Sequence, residues 1–81
     1  MRIDKFLKNA RIIKRRQVAK EACENDRVLL NGKYAKPGSI VNEGDEIEVI
    51  FGKSRLKVRV LSLIDGAKKA NADEMYEVID D

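Results

Sequence analysis

Residues 46–60 read EIEVIFGKSRLKVRV. Apolar and charged side chains alternate on both sides of Gly52-Lys53, the period of a half-buried strand. With Gly52-Lys53 as a two-residue loop, Ile47 faces Val58 and Val49 faces Leu56 on one side. The same pairing sets Glu48 opposite Lys57 and Glu46 opposite Arg59 on the other. A one-residue slip would turn every side chain to the wrong face, so agreement of both faces predicts this register. An antiparallel hairpin therefore anchors the fold.

Working upstream, Arg27-Val28-Leu29-Leu30 reads as a strand. Asn31-Gly32 suits a type I′ turn, whose two central residues need positive φ, and Lys33–Lys36 returns antiparallel. Pro37-Gly38 and Glu43-Gly44-Asp45 break the chain. Before residue 27 the period changes from 2 to 3.6. Ile3, Phe6, Leu7 and Ala10 share one stripe with Lys5, Lys8 and Arg11 opposite, which predicts a helix over 3–11. A second helix fits 15–24, with Val18, Ala19, Ala22 and Cys23 as its buried side. Downstream, Asp65-Gly66 ends the hairpin, 67–73 form a polar connection, and Met75–Ile79 makes a last strand before Asp80 and Asp81 fray. Phe51 is assigned to the apolar stripe of the hairpin. The expected fold is α+β: two N-terminal helices packed on a small, bent, mostly antiparallel sheet. At 81 residues it is one domain with a thin core.

Charge is distributed unevenly. The first 36 residues carry eleven Lys/Arg against four Asp/Glu, and the remaining 45 carry six against ten. Eight of the bases fall within residues 2–20: Arg2, Lys5, Lys8, Arg11, Lys14, Arg15, Arg16 and Lys20. Asp4 is the one acid there. A face kept charged only for solubility mixes its signs. Like charges packed together repel unless a polyanion neutralises them, which makes these eight the candidate nucleic-acid contacts. Only Tyr34 is a plausible exposed ring near them, so structured RNA gripped by its phosphates fits better than stacking of successive bases.

Other classes fall away. No apolar run approaches the ~20 residues of a membrane span. The helical stripe of Ile3, Phe6 and Leu7 is needed for the core rather than for a lipid surface. With no histidine and one cysteine, neither a zinc site of the usual ligands nor a Ser-His or Cys-His nucleophile pair can be assembled. Glycines occur singly, so there is no phosphate-cradling loop. Glu46 and Glu48 read as a solvated strand face. No enzyme, cofactor or metal is expected. Lone Cys23 fits a reducing, cytoplasmic setting and a buried structural thiol.

Five blocks also resemble a known family: RIDKFL (2–7), Arg11, IKRRQVAKE (13–21), RVLLNGKYAKPG (27–38) and EGDEIEV (43–49). In order and spacing they are similar to the S4 RNA-binding domain, over residues 2–51, with an extra hairpin and last strand over 52–79. The ending DEMYEVI (73–79) and the hairpin FGKSRLKVRV (51–60) resemble most the short bacterial ribosome quality-control members and a related heat-shock S4 protein. The resemblance implies a non-catalytic factor binding the large ribosomal subunit through rRNA and tRNA. It further implies rescue of stalled subunits carrying peptidyl-tRNA, and assistance to the factor RqcH in adding a C-terminal alanine tail. A monomer is expected. Carried over by position, it points to Arg2, Lys5, Arg11, Lys14, Arg15, Arg16 and Lys20 as contacts, with Asp4 orienting neighbouring arginines. Arg16→Glu is expected to weaken binding without unfolding the domain. The family commonly has glycine where this chain has Asp26, a residue that tolerates the left-handed region. The alternatives are an RNA-targeting module of an RNA-modifying enzyme, or a protein–protein adaptor using Glu46, Glu48, Lys57 and Arg59.

Overall fold

The computed structural model describes residues 1–64 and 72–79. The order is α1 (Ile3–Asn9), α2 (Arg16–Glu24), β1 (Val28–Leu30), β2 (Lys33–Tyr34), β3 (Glu46–Phe51), β4 (Ser54–Val60), α3 (Ala72–Met75) and β5 (Tyr76–Val78). The five strands form one antiparallel sheet in the order β2-β1-β3-β4-β5. The expected turn at Asp65-Gly66, the connection from 67 to 71 and the ends Asp80 and Asp81 lie outside the described residues. No helix among the described residues is long and apolar enough to cross a membrane.

The β3–β4 register is the one the two faces specify, with Ile47 against Val58, Val49 against Leu56, Glu48 against Lys57 and Glu46 against Arg59. Ile47, Val49, Val58 and Val60 are buried with Ile3, Phe6, Leu7 and Ala10 of α1 and Ala19 and Cys23 of α2. Both helices thus lie on one face of the sheet. The other face carries ion pairs: Arg59 reaches straight across to Glu46 at 3.6 Å and to Glu77 at 2.9 Å, and Arg55 reaches diagonally to Glu48 at 2.7 Å. Being exposed, each contributes about 1 kcal/mol or less.

Turn chemistry follows the letters. Asn31 and Gly32 have φ of 52° and 83°, as a type I′ turn requires. Asn31 also accepts a bond from the Glu46 amide at 2.9 Å through its side chain, tying the β1–β2 turn to β3.

Several expectations need correction. Helix α1 stops at Asn9, because Arg11 adopts φ 57°. Strand β2 ends at Tyr34, and the last strand begins only at Tyr76, after the single turn of α3. Val18 was expected to be buried and Phe51 to join the core stripe, yet they are 47% and 45% exposed. Phe51 does continue the inward-facing series of Ile47 and Val49. The helical layer ends before reaching it.

Candidate nucleic-acid interface

All eight candidate cations sit on α1, α2 or the segments flanking them. Seven are exposed, and Lys5 is half-buried rather than fully on the outer face. Asp4 is buried, its side chain 3% exposed, at the joint between the two helices. Its Oδ1 accepts the Lys5 amide at 2.7 Å and Arg16 Nη2 at 3.5 Å, while Oδ2 accepts Arg2 Nη2 at 3.2 Å. One carboxylate therefore brings Arg2 and Arg16 together from the starts of two helices. Each arginine side chain remains about half exposed, at 50% and 47%. A glutamate at position 16 would meet the buried Asp4, so Arg16→Glu perturbs packing and charge together. Expecting it to be structurally silent overlooks that contact.

The start of α2 is built unlike an ordinary helix N-terminus. Arg15 is the N-cap, in extended backbone (φ −121°, ψ 136°), and its side chain makes no capping bond. The first turn holds no acid, although acids there favour the helix dipole. Free backbone N–H groups, the positive end of the dipole and exposed Lys14, Arg15 and Arg16 converge on this point. Lys8, Arg11, Lys14, Arg15 and Lys20 make no ion pair among the described residues.

Both helices end in the same motif. After α1, the Ile12 amide bonds to the Leu7 carbonyl and the Arg11 amide to that of Lys8, both at 3.1 Å. After α2, the Arg27 amide bonds to the Ala22 carbonyl at 2.9 Å and the Asp26 amide to that of Cys23 at 3.2 Å. This is the Schellman pattern, whose left-handed position usually holds glycine. Here Arg11 and Asp26 occupy it, each with φ 57°. A side chain in that region costs about 1–2 kcal/mol. Glycine at either position is therefore expected to raise stability by about 0.5–1 kcal/mol, after allowing for its greater freedom when unfolded. Urea denaturation of Arg11→Gly and Asp26→Gly checks this, and no gain in either would refute the strain. The pair should diverge in RNA affinity, with Arg11→Gly weaker and Asp26→Gly unchanged or tighter.

Cys23 is buried between the helices and the sheet. Burial, with the charges of Asp4 and Glu24 adding to it, pushes its thiol from 9.0 up to about 11. Between these values the unfolded chain releases a proton that the folded chain retains. The contribution to stability is thus complete below pH 9.0 and is lost as the pH rises toward about 11. At pH 8 iodoacetamide is expected to label the folded protein at least ~100-fold more slowly than the urea-unfolded chain. Equal rates would mean an accessible thiol.

Asn9 is a residue that periodicity overlooks. It is buried, and its side-chain amide donates to the Ile64 carbonyl at 3.3 Å, tying α1 to the segment after β4.

The family model described as S4 domain matches residues 1–47, and the chain belongs to that family. The matched part contains both helices and all eight cations. Similarity to curated relatives extends much further. A protein of Halalkalibacterium halodurans named RQC P-site tRNA stabilizing factor is 46% identical over 78 residues, covering 96% of this chain and 89% of its own. One of the same name from Listeria monocytogenes is 48% identical over 79 residues, covering 98% and 86%. Among solved structures, the trimeric Vibrio cholerae Heat Shock Protein 15 superposes with a TM-score of 0.90 at 30% identity, over 98% of this chain and 81% of that one.

Proposed function

We propose that this chain is a non-catalytic RNA-binding factor of ribosome quality control. It acts in the cytoplasm on stalled large subunits that carry peptidyl-tRNA, contacts their rRNA and the tRNA, and assists alanine tailing by RqcH. Residues 1–81 work as one S4-type unit, the second hairpin and last strand completing the sheet that carries the helices. The observation that supports this most is the start of α2. An uncapped helix N-terminus surrounded by Lys14, Arg15 and Arg16 forgoes stability that a serine or aspartate cap would supply, and is suited to a phosphate. The relatives named RQC P-site tRNA stabilizing factor support a setting in ribosome quality control.

Arg2 and Arg16, held by Asp4, serve as one phosphate clamp, and Lys5, Lys8, Arg11, Lys14, Arg15 and Lys20 extend the grip. About four to six phosphate contacts predict a log–log salt slope of roughly −3 to −5. Sedimentation of tagged protein through sucrose gradients tests the setting, with fractions probed for large subunits and peptidyl-tRNA. Wild type is expected with subunits that carry peptidyl-tRNA, and Arg15→Asp at the top of the gradient. Wild type remaining at the top would overturn the ribosomal assignment.

A further inference from the structure

On the other flank of α2 from Arg16 and Lys20, an apolar groove of about 620 Å³ opens between the helix and the β3–β4 turn. Val18 and Ala22 line it from α2, and Val49, Ile50 and Phe51 line it from β3. The floor is held rigidly, because Arg27 donates its amide to the Ala22 carbonyl at 2.9 Å and accepts the Ile50 amide at 2.8 Å. Among the described residues, Lys14 and Arg27 are the charged ones on the lining. Neither makes an ion pair among the described residues. The sheet's inward face thus runs past the helices, leaving apolar side chains uncovered beneath two unmatched cations.

We infer that this groove docks an apolar segment of a protein partner, flanked by carboxylates that reach Lys14 and Arg27. The lining is almost wholly carbon and long enough for several side chains, which suits leucine- or phenylalanine-type anchors. A nucleobase would also satisfy the cations. However, its polar edges would be buried against aliphatic walls without partners, at about 1–3 kcal/mol for each group. A two-fold pairing of this chain with itself would bring the same cations face to face, which disfavours it. The outer sheet face is the poorer adaptor surface, since Glu46, Glu48 and Arg59 already pair with neighbours there.

The test is an amide NMR titration of the labelled 81-residue chain with three probes. One is a synthetic peptide with Leu and Phe at helical spacing flanked by glutamates. The second has lysine flanks, and the third is an oligoadenylate. Shifts confined to Val18, Ala22, Arg27, Ile50 and Phe51 are expected with the glutamate peptide, and binding at least ~10-fold weaker with the lysine peptide. Phe51→Ser and Arg27→Glu are each expected to weaken the glutamate peptide ~10-fold or more. Phe51→Ser should leave RNA affinity within about twofold, since Phe51 lies outside the cationic cluster. Arg27→Glu alters an exposed side chain and keeps the test open if the serine variant loses its dispersed spectrum. Absence of local shifts, equal binding of the lysine peptide, or occupation of the groove by oligoadenylate or by a second copy would each overturn the inference.

Discussion

A chain carrying Arg15→Asp is expected to fold more stably than wild type and to bind RNA about 30-fold more weakly. Position 15 already has the extended backbone of an N-cap but lacks an acceptor for the amides of the first turn. Aspartate supplies one, and its charge also suits the dipole, together contributing about 1 kcal/mol. At the same time a charge-assisted phosphate contact of about 1.5–3 kcal/mol is lost. The magnitude of the salt slope should fall by about 1. Filter binding at several salt concentrations measures the affinity, and urea denaturation measures the stability. Because the two effects have opposite signs, weakened binding cannot be ascribed to unfolding. RNA affinity equal to wild type would remove Arg15 from the interface.

Phe6→Ala is expected to leave the chain largely unfolded at 37 °C. Phe6 is fully buried, and it is the largest of the side chains so enclosed. Truncating such a ring costs about 3–5 kcal/mol in lost transfer energy and residual cavity. A domain of this size has roughly 4–12 kcal/mol in total at 25 °C, and less on warming. Helical and sheet signals in circular dichroism should collapse together, because α1 covers the inner sheet face. Phe6→Leu, which leaves a smaller void, should cost about half as much or less and stay folded. A cooperative, wild-type-like melt for the alanine variant would mean that the core does not centre on α1.

The contrast between these two sites explains what could be read in advance. Phe6 was legible because it recurs with Ile3, Leu7 and Ala10 at helical spacing. The β3–β4 register was equally legible, since its two faces impose independent constraints that agree. Asn31-Gly32 announced its turn through the backbone angles those residues tolerate. Periodicity, however, says which side of an element is apolar and not how far the opposing layer extends. Val18 and Phe51 therefore looked like core and are groove walls. Arg11 gave no sign of its left-handed backbone, because the motif usually betrays itself by glycine. Asp4 was legible as an odd acid among bases, but its burial and its contact with Arg16, twelve residues on, arise only from helix packing.

The two outer surfaces of the molecule handle charge differently. On the sheet, carboxylates and bases neutralise one another in pairs, so their fields largely cancel a short distance away. Lys8, Arg11, Lys14, Arg15 and Lys20, on and beside α1 and α2, make no ion pair among the described residues, and their fields add. The chain therefore carries a strong electric moment with its positive end on the helical side. Within about 8 Å of a polyanion at physiological ionic strength, that moment turns the molecule before contact. Added salt should consequently act first on the rate of productive encounter, and much less on the lifetime of a complex once docked.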